Sequence, residues 1–319
     1  MKQVVEHVLV GTVTEVAGTS YIVQGDDGTL YRACTVPSTK SANSDASLVA
    51  VGDRVELKAS VSGHAGYEAI ITNVLARRTA LARQRDVRRN RSKERVQVIA
   101  ANIDQLVAVV SAFEPPLNRR LIDRYLVFAE SEQLPILLVV NKCDLDDEED
   151  GSSYVREMMH PYHALGYSVL YTSAENGEGV EELRQALAHK LSAFSGHSGV
   201  GKSTLINMLS GQERLRTAET NVKTGKGLHT TTNAVMLVLP DGGAIIDTPG
   251  LREFTLADIT RDNLRFYFRE VLPVMAQCAY SSCTHTVEPE CAVRRAAELG
   301  TIDPERYESY LALYDSIAE

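Results

Sequence analysis

The sequence predicts a multidomain chain: an N-terminal β-barrel (OB-fold), a central α/β P-loop domain and a mostly helical C-terminal segment. Three observations predict it. Residues 1 to about 75 show short alternating apolar and polar runs separated by turn residues. From Gln105 onward, nearly continuous apolar runs alternate with helical patterns. Near the C-terminus, three cysteines and a histidine crowd into 14 residues.

The bounds are those of a soluble protein. At 319 residues the chain can form more than one core, and 44% hydrophobic with 24% charged residues is ordinary globular composition. No apolar run approaches the roughly 20 residues that span a bilayer, and no membrane association is expected. Met1 to His7 lacks the layout of a signal peptide, so a cytoplasmic location is expected. The net charge of −9 argues against nucleic-acid binding on average. Its distribution argues otherwise, because nine basic residues lie between Arg77 and Arg95 against only Asp86 and Glu94.

The barrel is read from runs such as Gly11–Val16, Tyr21–Val23, Val51–Leu57 and Ala69–Ile71, roughly five short strands over residues 1–76. The polar stretch Ser38–Ser47 reads as a mobile loop between strands. Residues 77–98 read as a basic linker, partly disordered when unbound. The α/β domain follows over 99–254. Strands are expected at Gln105–Val110, Pro135–Val140, Val169–Tyr171 and Leu191–Phe194, with helices over Asn118–Glu132, Val155–Leu165 and Val180–His189. A hairpin over 234–246 ends at Asp247, and residues 255–319 read as helical around the Cys/His cluster.

Two motifs in the α/β domain carry chemistry. Gly196-His197-Ser198-Gly199-Val200-Gly201-Lys202-Ser203 fits the phosphate-loop pattern, with Thr204 added. Its glycines let backbone N–H groups curl around phosphates, and the following helix offers its positive end. Lys202 would reach the β and γ phosphates, and Ser203 would ligate Mg²⁺. Asp247-Thr248-Pro249-Gly250 places a carboxylate for Mg²⁺ and a Gly250 N–H for the γ-phosphate. The hydroxyl-rich Gly225–Thr232 lies between them. Thr231 is the first choice to complete the Mg²⁺ shell, with Thr230 the alternative.

The second motif is Asn141-Lys142-Cys143-Asp144. Asp144 can accept from two adjacent donors on the guanine edge, where adenine offers an acceptor and a C–H; a bidentate pair of this kind is worth ~1–3 kcal/mol. Asn141 would hydrogen-bond the base, the Lys142 stem would cover its face, and the Ser173 and Ala174 backbone would donate to the guanine carbonyl. The expected ligand is GTP or GDP with Mg²⁺. The base-reading motif precedes the phosphate loop, the reverse of the ordinary GTPase order. One site in a circularly permuted GTPase domain is the simplest reading.

Cys278, Cys283, His285 and Cys291 form C-x4-C-x-H-x5-C. Three thiolates and an imidazole complete a tetrahedral Zn²⁺ shell with no open position, so a structural zinc is expected over residues 255–319. Cys34 and Cys143 read as ordinary core or loop residues.

Together these residues resemble the circularly permuted GTPases that act on the small ribosomal subunit, the RsgA (YjeQ) family. The resemblance covers nearly the whole chain, including Ala101–Gln105 and Glu114–Asn118 at the entry to the GTPase domain. It implies an OB-fold, a Rossmann-like GTPase and a zinc domain. It also implies binding to 30S particles late in assembly, contact with rRNA and ribosome-stimulated hydrolysis of GTP. A monomer is expected.

Leu251 stands where Ras-like enzymes carry the water-orienting glutamine, so turnover without the ribosome should be slow. His229 is the leading candidate to orient the water, beside Thr231 and Lys202 as catalytic groups. The DTPG segment runs through Leu251–Phe254 towards the zinc domain. Loss of the γ-phosphate is therefore expected to reposition that domain. Two other readings compete: an RNA-binding adaptor using GTP only as a structural ligand, and a P-loop kinase or ATPase with an accidental Asn-Lys-Cys-Asp segment.

Overall fold

The computed structural model describes residues 8–43, 47–59, 66–84, 96–146, 153–211, 235–247 and 259–317. Its contacts group the chain into two compact units. The first comprises Met1–Asp104, Leu187–Ser195 and Glu219–Thr255; the second comprises Gln105–Ala186, Gly196–Ala218 and Leu256–Glu319.

Five strands form the barrel: β1 (Leu9–Ala17), β2 (Ser20–Gly25), β3 (Leu30–Ser41), β4 (Arg54–Ala59) and β5 (Ala69–Val74). They pair in the order β1-β2-β3-β5-β4, and β4 returns to β1, which closes the sheet. Every pairing is antiparallel except β3 with β5. Alternate residues point inward, so Val13, Val23, Ala33, Val55, Leu57 and Ile71 form one buried core. The expected loop from Ser38 begins later than the sequence suggests. Lys40 and Ser41 still pair with Asn73 and Val74, because the parallel ladder supplies partners that a polar run does not announce. Residues 44–46 lie outside the described residues.

The basic stretch also has structure at its ends. Strands β6 (Ala80–Gln84) and β7 (Val96–Ala101) pair antiparallel, and residues 85–95 lie outside the described residues. Arg77, the first of the nine basic residues, belongs to the barrel. Its guanidinium grips the buried Asp53 carboxylate at 2.7 and 2.8 Å and donates to the Ser47 carbonyl. Arg78 bonds Asp104 at 3.1 Å.

The α/β elements follow in chain order: β8 (Gln105–Ser111), α1 (Arg119–Ser131), β9 (Ile136–Asn141), α2 (Tyr154–Ala164), β10 (Ser168–Tyr171), α3 (Val180–Leu187), β11 (Leu191–Gly196), α4 (Lys202–Ser210), β12 (Val235–Val238) and β13 (Ala244–Asp247). In the second unit, β8, β9 and β10 form a parallel sheet with β9 central. Burial of β8 on both faces explains its unbroken apolar run. Asn118 caps α1 by accepting from the Leu121 N–H, and Ser153 caps α2 in the same way. In the first unit, β11 and β13 pair parallel with Phe194 opposite Asp247, and β12–β13 is the expected hairpin. Ser192 and Ser195 lie buried within β11, which is a strand in spite of them.

The C-terminal part of the second unit is helical: a single 3-10 turn at Leu264–Tyr267, then α5 (Leu272–Met275), α6 (Ala292–Glu298) and α7 (Pro304–Ser316). Its core joins Leu264, Phe268, Val271, Cys283, Val293 and Tyr310 to Val127 of α1. Among the described residues, no helix is long and apolar enough to cross a membrane.

Candidate functional site

Asn141 ends β9 and is fully buried. Its Nδ2 donates to the Val200 carbonyl of the phosphate loop at 2.9 Å. Its Oδ1 accepts from the Ala174 N–H at 3.1 Å and from Thr172 Oγ1 at 3.2 Å. One amide therefore ties three loops together across 59 positions of sequence. The sequence reading gives this side chain to the base; in the structure the same amide is also a strut between loops. The loops that stand in reversed order along the chain meet in space.

Asp144 lies exposed beyond it, in the middle of a short 3-10 turn over Cys143–Leu145. Ser173 Oγ donates to Asp144 Oδ1 at 2.5 Å, which fixes the carboxylate's orientation. The backbone donors expected for the guanine carbonyl are engaged within the protein. The Ser173 N–H donates to the Glu178 carbonyl and the Ala174 N–H to Asn141. Lys142 adopts a left-handed backbone, and its ammonium donates to the Glu114 carbonyl. Burial raises the Cys143 thiol to about 11, so it stays protonated and donates to the Val140 carbonyl. It is a loop residue, as read.

The phosphate loop joins β11 to α4, whose first turn carries no acidic residue that would oppose a phosphate. Gly201 caps this helix with φ +85°, and a Cβ there would lie 2.2 Å from Asn141 Nδ2. Only glycine lets the strut pass. Gly196 is equally constrained, with the Val109 carbonyl oxygen 2.5 Å from where its Cβ would be. His197, Ser198 and Gly199 are exposed, Val200 is buried, and Gly201, Lys202, Ser203 and Thr204 are half-buried. Asp247 ends β13. Thr248, Pro249, Gly250, Leu251, His229, Thr230 and Thr231 lie outside the described residues.

In the metal cluster, the ligand atoms of Cys278, Cys283, His285 and Cys291 lie within 4.8 Å of one another. His285 Nδ1 is 3.6 Å from Cys278 Sγ and 3.5 Å from Cys291 Sγ. A tetrahedral zinc would set such donors roughly 3.3–3.8 Å apart, so the residues fit a metal carried on Nδ1. Burial and the neighbouring thiols push Cys283 up to about 12, and burial lowers His285. A bound cation would let the thiols ionise together.

Neighbouring side chains hold the ligand loop in shape. Arg265 donates to the Cys283 carbonyl, Tyr310 to that of Thr284 and Tyr307 to that of His285. Glu288 accepts from the backbone and hydroxyl of Thr284 and from the Thr286 N–H. Burial would raise its pKa, but these bonds outweigh burial and hold it down at about 2.

The sequence reading missed what fastens this segment to α1. Arg306 of α7 is buried, with Asp123 Oδ1 at 2.6 Å and both Glu270 oxygens at 2.7 and 2.9 Å. Arg119 of α1 bonds Asp303 at 2.6 Å and Glu305 at 2.9 Å. Tyr162 donates to Asp123 at 2.9 Å, and Arg269 bonds Glu130 at 2.7 Å. The segment expected to move is thus clamped to the base-reading half of its own unit. A charged pair at i, i+4 on a helix ordinarily reads as solvated, so nothing in Arg119 and Asp123 announces burial.

Comparison with known proteins places this geometry. Residues 74–257 match the model of the RsgA GTPase family. A Chlorobaculum parvum protein, named small ribosomal subunit biogenesis GTPase RsgA, is 60% identical over 98% of this chain and 99% of its own. A Gemmatimonas aurantiaca protein of the same name is 40% identical over 96% and 97%. The crystal structure of YjeQ from Thermotoga maritima superposes with a TM-score of 0.73 at 32% identity, covering 97% of this chain and 98% of that one. YloQ, described as a circularly permuted GTPase, shares the fold with a TM-score of 0.72 at 22% identity, covering 99% and 98%.

Proposed function

The chain belongs to the RsgA GTPase family, and from that premise we propose that it binds the small (30S) ribosomal subunit and acts in its late assembly. It hydrolyses GTP to GDP and phosphate, with stimulation by the ribosome. The observation that carries this reading is the Asn141 strut, which brings base-reading and phosphate loops of permuted order to one place. The names of the relatives supply the subunit.

In this reading the chain divides into a barrel (1–76), a basic connection (77–98), a permuted GTPase domain (99–254) and a metal-binding helical segment (255–319). Asn141, Lys142, Asp144, Ser173 and Ala174 serve the guanine, and residues 196–204 serve the phosphates. Ser203, Asp247 and Thr231 hold Mg²⁺, while Gly250 senses the γ-phosphate and His229 orients water. Zinc on Cys278, Cys283, His285 and Cys291 supplies cohesion and no step of hydrolysis. The rest of the basic stretch, without Arg77, contacts rRNA phosphates. The protein works as a monomer in the cytoplasm.

Phosphate release measured with purified 30S, 50S and 70S particles tests the proposal. Slow turnover alone and strong stimulation by particles containing the small subunit are expected. No phosphate release with or without particles would favour the adaptor reading, and ATP competing equally with GTP would favour a P-loop kinase or ATPase.

A further inference from the structure

The turn between β8 and α1 has no role in the motif reading, yet it touches both nucleotide loops. Ser111 ends β8, is buried and stands in register with Asn141. Its Oγ donates to the Pro115 carbonyl at 2.6 Å. The adjacent Ala112 N–H donates to the Asn141 carbonyl at 2.8 Å, which pins the start of the turn to the base-reading strand. From there the Glu114 carbonyl receives the Lys142 ammonium. Pro115 Cδ lies 3.6 Å from the point a Cβ on Gly199 would occupy, so the turn also lies against the phosphate loop.

Lysine carries a compact charge on a flexible four-carbon stem with many rotamers. Fixing the far end of a stem that covers one face of a flat base reduces the side-chain entropy lost when the base binds. Here a backbone carbonyl fixes that end, and that carbonyl belongs to neither recognised motif. We infer that residues 111–115 form a strap that positions Lys142 across the base. Ser111 is the positioning residue that fixes the strap. The inference rests on the guanine-nucleotide reading above and adds a third element to that site.

Calorimetric titration of GDP into the full-length protein tests it. Ser111→Ala removes one buried hydrogen bond and should weaken GDP binding about 3- to 10-fold. Lys142→Met keeps the apolar stem, loses the ammonium and should weaken binding as well. Because both act on one contact, Ser111→Ala should add less than about 2-fold in the Lys142→Met background. Additive losses, or unaltered affinity in Ser111→Ala, overturn the strap. The wild-type protein gives a second readout that does not depend on a variant folding. Exchange of the amide hydrogens of residues 111–114 should slow when GDP binds, and unchanged exchange also overturns the strap. A wild-type protein that binds no GDP defeats the underlying reading instead, and the strap with it.

Discussion

The barrel and the C-terminal segment both bury an arginine against an aspartate, but they depend on that pair to different degrees. In the barrel, Arg77 and Asp53 sit beside a sheet already closed by β1–β4 pairing, whose ladder satisfies the backbone. The C-terminal segment has no ladder among its described residues. Its ligand loop hangs its carbonyls on Arg265, Tyr307 and Tyr310, and its last helix is clamped to α1 through Arg306. A region without a sheet borrows order from side chains, and its Cys/His cluster could add a metal. A closed sheet does not need to.

Metal removal gives the largest expected break in this comparison. A chelator, or Cys283→Ala, should unfold residues 259–317 and expose them to protease, while barrel amides keep their protection from hydrogen exchange; simultaneous loss of both would abolish the contrast. Next comes the buried arginine of each region. Arg306→Met leaves Asp123 and Glu270 uncompensated and should cost about 3–5 kcal/mol in denaturant unfolding. Arg77→Met strands a single carboxylate beside an intact ladder, so about 3 kcal/mol or less is expected. The reverse ranking would show that the ladder does not protect the barrel.

The smallest effect is set by pH. Glu288 is held at about 2 against an ordinary 4.5, so its contribution is present above the ordinary value and lost as pH falls towards 2. Glu288→Gln should lower stability at neutral pH and narrow its gap from the wild type over that window. A gap independent of pH would remove the carboxylate from the account.

Much of this was legible in sequence because its signals are local. The phosphate loop, the Asn-Lys-Cys-Asp tetrapeptide and the cysteine spacing each require particular residues at short intervals. What was missed depends on partners distant in the chain. The last residues of β3 are strand only because β5 lies parallel beside them. The bond from Asn141 to the Val200 carbonyl, 59 positions away, is announced by nothing in the tetrapeptide itself. Asp123 and Arg306 are separated by 183 positions, and nothing near either one signals burial.

The reversed order that Asn141 bridges has a consequence for biosynthesis. A nascent chain finishes the guanine-selecting loops before the phosphate-gripping loop leaves the translating ribosome. A growing copy thus has nowhere to seat triphosphate until Gly196–Thr204 has emerged, well after the guanine-selecting loops. An ordinary GTPase acquires its grip first and its selectivity last, whereas this molecule is made in the opposite sequence.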